Sequence, residues 1–182
     1  SPPHDPATVF QEVFRFISTY LDFPVKEDAL GLISTMALFV FLTYCYPAFP
    51  AVPYLSFTGP AGSGKTRALQ VLQSLVFRPT LTANTSPALL FRSLHAYGGV
   101  FLLDEAERLS NTKDSVANEI LSVLHAGYKQ GGTAERLEPV GDTYKPVHFD
   151  VYGPKAIASI TAPPPTLASR CIPFPMLRAE AK

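Results

Sequence analysis

Neither sign of charge dominates this chain. Its 182 residues carry 15 Lys+Arg and 15 Asp+Glu, a formal net charge of zero with the histidines neutral. The global positive excess that draws a protein to a phosphate backbone is missing, so any contact with a polyanion must come from a local patch. Cysteine is equally sparse. Cys45 and Cys171 lie far apart, each within an apolar stretch. That excludes a disulfide framework, and both read as buried free thiols of a cytoplasmic protein. His4, His95, His125 and His148 stand at no ligand spacing to cysteines or acids, so no metal cluster is expected from them. No Ser-His-Asp or Cys-His arrangement can be argued from spacing, and no secretory signal is expected.

What the chain has in quantity is apolar surface. Hydrophobic residues make up 47%, with 13 Phe and 8 Tyr, enough for one domain with a sizeable core. The sequence starts at Ser1 without Met and ends LRAEAK, as expected of a piece of a longer protein. One uncharged run, ALGLISTMALFVFLTYCY from Ala29 to Tyr46, approaches the length that spans a bilayer. Gly31, Ser34, Thr35 and Thr43 weaken it, and no Lys or Arg anchors its Tyr46 side. It is expected as a helix packed inside a soluble domain, with no membrane partner.

Periodicity sets out the elements. Asp5-Pro6 reads as a cap and first helical residue, and Val9, Phe10, Val13, Phe14, Ile17, Tyr20 and Leu21 recur at helical spacing, predicting a helix over about 7–21. A second helix follows Asp28 and stops before the proline-rich YPAFPAVP. YLSFT (54–58) is a buried strand, with a helix from Lys65 to about Phe77. Short strands are predicted at 80–83, 98–105 and 155–161, helices at 86–95 and about 115–127, and a β-hairpin within 128–153. CIPFPM is an edge strand, because proline is excluded from a sheet centre. Strands alternating with helices make the class α/β with a parallel sheet. A helical lead-in occupies 1–50, the core 51–178 and a tail 179–182.

The chemistry is concentrated at SFTGPAGSGKTRALQVL. Gly59, Gly64, Lys65 and Thr66 fit G-x-x-x-x-G-K-[ST]. Phosphate is a concentrated negative charge, and backbone N–H groups surround it only where the chain bends tightly. Glycines at 59, 62 and 64 permit that bend. The loop Gly59, Pro60, Ala61, Gly62, Ser63, Gly64 then feeds a helix N-terminus, whose free N–H groups favour an anion. Lys65 is expected to reach the β- and γ-phosphates, and the Thr66 hydroxyl to hold Mg²⁺.

Further on, VFLLDE delivers Asp104 and Glu105 from the end of a buried strand. Asp104 is the second candidate for Mg²⁺, and Glu105 the general base that polarises an attacking water. Kinases and GTPases with this loop generally lack an acid in Glu105's place, which disfavours a small-molecule kinase. Glu107 and Arg108 read as solvated neighbours. One strand and two helices separate the loop from the acidic strand, which suits the P-loop branch with an extra strand between the two, a branch that includes AAA+ proteins.

After the loop, NTSPALLFRSL, GGVFLLDEAERL, LHAGYKQGGTAER and FDVYGPKAIASITAPPPTLASRCI follow in order. Together they resemble AAA+ ATPases, in particular plasmid- and phage-type ATPase domains that accompany primase- or helicase-like proteins. More distantly they resemble minichromosome-maintenance helicase cores. The resemblance implies a three-layer P-loop NTPase, the large AAA+ subdomain, with a five-stranded parallel sheet and a hairpin before the sensor strand. AAA+ proteins normally carry a helical lid after the sheet, and this sequence, ending at Lys182, is expected to depart from them in lacking it. It implies ATP and Mg²⁺, with Thr161 as sensor of the γ-phosphate and Ser159 as fallback. Arg170 becomes an arginine finger offered to a neighbouring copy in a ring-shaped homo-oligomer.

In related helicases the hairpin touches DNA. Here it mixes Arg136, Lys145 and His148 with Glu135, Glu138, Asp142 and Asp150, so DNA is admitted as a partner only through a charge-mixed surface. The expected function is Mg-dependent ATP hydrolysis coupled to DNA replication, unwinding or mobile-element maintenance. The alternative is a nucleotide-gated assembly or scaffold protein with little hydrolysis and no translocation.

Overall fold

A strand buried along nearly its whole length is stable only when both faces are covered. Three strands here meet that description, with even the polar Ser56, Lys155 and Ser159 buried: β1 (Tyr54–Thr58), β3 (Val100–Leu103) and β6 (Lys155–Ser159). In the computed structural model they form the middle of a five-stranded sheet. Residues 5–23, 26–83, 86–111, 113–140 and 143–178 are described. His4, Asp142, the 179–182 tail and the side chain of Glu138 lie outside that description.

The sheet order is β2-β3-β6-β1-β7, with β2 at Pro79–Thr82 and β7 at Cys171–Pro175, and every pairing is parallel. The protein is therefore mixed α/β with a central parallel sheet of five strands, as P-loop folds are. β7 holds an edge, as its two prolines require.

The alternation of side chains divides the interior into two cores. Leu55 and Phe57 of β1, Leu102 of β3, and Ala156 and Ala158 of β6 face α1 (Pro6–Tyr20), α2 (Lys26–Cys45) and α3 (Lys65–Leu75). Tyr54, Phe101, Leu103 and Ile157 face the other way. There they meet α4 (Pro87–Tyr97), α5 (Ser115–Ala126), the short α6 (Pro165–Ala168) and the base of a hairpin made of β4 (Thr133–Val140) and β5 (Thr143–Asp150). The three layers and the lead-in against the core follow from this division.

Local chemistry sets the helix starts. The Asp5 carboxylate accepts from Thr8 N at 3.2 Å, Ser86 Oγ accepts from Leu89 N at 3.3 Å, and Asp114 accepts from Val116 N and Ala117 N. Each satisfies an N–H that the first turn leaves free. Boundaries differ from expectation by a few residues. α3 ends at Leu75 because Val76 is extended, and the strand expected over 98–105 is confined to Val100–Leu103.

α2 needs a larger correction. Met36, Ala37, Phe39 and Val40 are buried, but Leu30 and Leu38 are 67% and 60% exposed. Only one face of the helix is packed. Among the described residues it is the one helix long and apolar enough to cross a membrane by length and composition. Cys45, expected to be buried, is exposed at the end of this helix, and Cys171 is half-buried; both are free.

The second core contains a charged residue that the sequence did not flag. Lys155, at the start of β6, is wholly buried. Its Nζ donates to Val151 O (2.8 Å) and Gly153 O (2.9 Å) and lies 5.1 Å from the centre of the Tyr54 ring. Burial lowers its pKa from 10.5 to about 7, with Asp150 opposing. Between those values the unfolded chain holds a proton that the folded chain has given up, so this residue makes stability rise with pH from about 7 to 10.5. Lys155→Met is expected to remove that rise and to destabilise the alkaline protein by about 1–3 kcal/mol, the range for leaving buried acceptors unpaired. Urea unfolding of both proteins at several pH values checks it; parallel curves would exclude the burial effect.

Candidate functional site

Parallel strands deliver their carboxyl ends to one edge of a sheet. Here that edge receives the Gly59–Gly64 loop after β1, Asp104 and Glu105 after β3, Ile160 and Thr161 after β6, and Met176 to Arg178 after β7. β6 lies between β1 and β3. The loop and the acids therefore stand two strand spacings apart, about 9–10 Å.

The loop is tight because its first residue has no room. A Cβ at Gly59 would lie 2.0 Å from the carbonyl oxygen of Met176, and Met176 N donates to Thr58 O at 2.7 Å. Gly62 and Gly64 take φ of 76° and 88°, a region that side chains disfavour. Lys65 is buried beneath the arch, its Nζ donating to Gly59 O (2.7 Å) and Pro60 O (2.8 Å). From the outside, Arg178 Nε donates to Ala61 O at 2.7 Å.

Among the described residues, no acceptor is recorded for the N–H groups of Ala61, Gly62, Gly64, Lys65 and Thr66. Ser63 Oγ is buried and makes no hydrogen bond. Unpaired amides at the start of α3 and an orphaned hydroxyl suit a ligand that is anionic and rich in acceptors, as a polyphosphate is. Thr66, in the first turn of α3, and Asp104, at the end of β3, offer the oxygen ligands that Mg²⁺ takes.

Asp104 extends the ladder: its N donates to Thr82 O at 2.9 Å, and its carboxylate accepts from Glu105 N at 2.9 Å. Glu105 has φ 54° and ψ 43°, a left-handed conformation that is strained for a non-glycine residue, as functional positions often are. Its side chain is exposed beside a cleft lined by Leu103, Ala106, Arg108, Val116 and Ile120. Glu107 and Arg108 are not simply solvated. Glu107 Oε1 accepts from Ile160 N at 2.6 Å, and Arg108 pairs with Asp114 at 3.1 Å. Glu107 thus ties the acidic turn to the end of β6. Spacing alone could not reveal this, because its partner is a backbone amide 53 residues away.

At the sensor position it is Ser159 that the fold brings against the loop. Its carbonyl accepts from Gly59 N at 3.3 Å and its hydroxyl donates to Thr161 O at 2.6 Å, while the Thr161 side chain is exposed. Arg170 precedes β7 and so occupies the opposite edge, away from its own chain's loop. Its guanidinium donates to Thr166 O and stacks 5.9 Å from the Tyr128 ring.

In the hairpin, Arg136 pairs with Glu119 at 3.0 Å and lies over Phe91, and His148 faces Glu135 at 3.4 Å. Lys145 stands across the hairpin ladder from Glu138.

No protein-family model matches the chain, and no curated protein matches it in sequence. Among solved structures, the JCV helicase crystallised with N-(4-(2-(thiazolo[5,4-c]pyridin-2-yl)phenoxy)phenyl)acetamide superposes with a TM-score of 0.53 at 17% identity. The match covers 97% of this chain and 47% of the helicase chain, so the protein spans about half of that helicase's length. At this identity the likeness is one of fold: a helicase-like NTPase architecture.

The crowding at Gly59 makes a simple prediction. Gly59→Ala is expected to destabilise the protein by about 1–3 kcal/mol or more, because backbone rather than a mobile side chain opposes the new methyl. Gly31→Ala, inside α2 with nothing within 4 Å, should instead stabilise by about 0.5–1 kcal/mol. Denaturant midpoints of the two variants should move in opposite directions; a neutral Gly59→Ala would contradict the close approach of Met176.

Proposed function

We propose that this chain is the ATP-hydrolysing core of an AAA+-type protein acting in DNA replication or mobile-element maintenance. The observation that carries the proposal is the meeting, on one edge of a parallel sheet, of the G-x-x-x-x-G-K-T loop and the Asp104–Glu105 pair with β6 between them. The helicase likeness of the fold supports a nucleotide-driven role.

In this reading the N–H groups of Gly62, Gly64, Lys65 and Thr66 and the Lys65 ammonium hold the β- and γ-phosphates. Thr66 and Asp104 would hold Mg²⁺, which would supply positive charge at the phosphate oxygens. Glu105 accepts a proton from the attacking water at its carboxylate oxygens. Ser159, with Thr161 beside it, reports the terminal phosphate to β6. Arg170 completes the site of a second copy, since it stands at the far edge from its own loop.

A second reading has its own support. The Arg170 guanidinium is already engaged by Thr166 O and Tyr128 in its own chain. This favours a nucleotide-gated assembly protein that hydrolyses slowly.

Lys65→Ala is expected to abolish binding of a fluorescent ATP analogue. Glu105→Gln should keep binding and lower turnover about 10²- to 10⁴-fold, the usual weight of a positioned base. An unchanged Glu105→Gln rate would remove the general-base assignment. Arg170→Ala should slow turnover only under conditions where copies assemble. Rates with and without single- and double-stranded DNA then separate a motor, which DNA stimulates strongly, from a switch, which it leaves unchanged.

A further inference from the structure

The segment that leaves β7 forms a wall of the glycine loop. Met176 N is bonded to Thr58 O, the Met176 carbonyl fills the space beside Gly59, and its Cε would lie 3.7 Å from a Cβ at Gly64. Two residues on, Arg178 Nε donates to Ala61 O at 2.7 Å. Residue 178 is thus held close to the loop by a main-chain attachment only two residues away.

The bond to Ala61 O has a consequence for the next amide. In a trans peptide the C=O and N–H of one plane point in opposite directions, and the described chain has no cis bonds. Whatever holds the Ala61 carbonyl outward therefore turns the Gly62 N–H inward. That plane needs holding. Gly62 takes either sign of φ with little steric penalty, so the Ala61–Gly62 peptide can rotate about its flanking bonds unless something fixes it. Lys65 does not, because its recorded bonds go to Gly59 O and Pro60 O. Through Pro60 O it fixes the preceding plane and so aims the Ala61 N–H. Two cations thus fix three successive planes of the arch, Lys65 those of Gly59 O and Pro60 O from beneath and Arg178 that of Ala61 O from outside.

We propose that Arg178 is a positioning residue of the glycine loop, which braces the Ala61–Gly62 peptide so that Gly62 N–H faces the bound phosphates. The assignment of phosphates rests on the nucleotide reading above; the brace itself rests on the hydrogen bond alone. Arg178 is exposed, so removing it leaves the core intact.

The test uses the full chain with Arg178→Ala and Arg178→Lys. Backbone ¹⁵N relaxation of residues 61–63 is read by NMR without ligand, and affinities for ATP and inorganic triphosphate are read by titration with Mg²⁺. Arg178→Ala is expected to lower the order parameter of the Gly62 N–H and to weaken both affinities by the same factor, roughly 10- to 100-fold. That is the weight of one charge-assisted hydrogen bond. The melting temperature should stay unchanged, and Arg178→Lys, which keeps a cationic donor, should recover part of each loss.

An unchanged order parameter at Gly62 overturns the brace. If affinity falls while the order parameter holds, Arg178 is a direct ligand and the brace is again wrong. Wild-type protein that binds neither ligand refutes the nucleotide reading instead, and a lowered Gly62 order parameter in Arg178→Ala would then still support the brace.

Discussion

The ladder that joins β6 to β1 on one side and to β3 on the other is the constraint from which the rest of the edge follows. Thr58 pairs with Ser159, and Leu103 with Ile157. With strand spacing fixed by main-chain hydrogen bonds, the loop after β1 and the acids after β3 have one separation available to them. The ladder also sets how the helices pack. Ala156 and Ala158 present only methyl groups to the α1–α3 core, so α3 can lie close over the sheet. A chain that must pass from β1 to such a helix has little room to turn, and the glycines of the loop answer that need.

The edge is cross-linked as well as aligned. Gly59 N bonds to Ser159 O, Met176 N to Thr58 O, Ile160 N to Glu107, and Arg178 to Ala61 O. These bonds connect the ends of β1, β3, β6 and β7 without passing through the core. A ligand that moved the loop would strain these segments together, through main-chain bonds to the ends of β6 and β7 and through the Glu107 carboxylate to the turn after β3.

Arg170 stands outside this network. A five-residue strand separates the two edges of the sheet by roughly 16 Å, and Arg170 lies at the edge away from the loop. Any role at a glycine loop therefore requires a second copy of the chain. Within one copy, capping Thr166 O and stacking on Tyr128 give its charge a local purpose.

The sequence alone determined the elements whose cause is local. Asp5 and Ser86 announced helix starts because capping acts over three residues. VFLL announced a buried strand because apolar runs need two covered faces. GPAGSGKT announced its loop because glycine spacing is itself the geometry. What only the tertiary structure decided depends on partners far along the chain. Lys155 reads as an ordinary strand-end lysine until Val151, Gly153 and Tyr54 close around it. Glu107 looks solvated until Ile160 arrives, and Cys45 looks buried until the apolar face it shares is left unpacked. Arg178 acquires its place because β7 lies beside β1 and brings a guanidinium to Ala61, 117 residues away. Local chemistry writes caps, turns and apolar runs into neighbouring residues, whereas strand order is set by long-range packing, and strand order chooses which distant side chains meet.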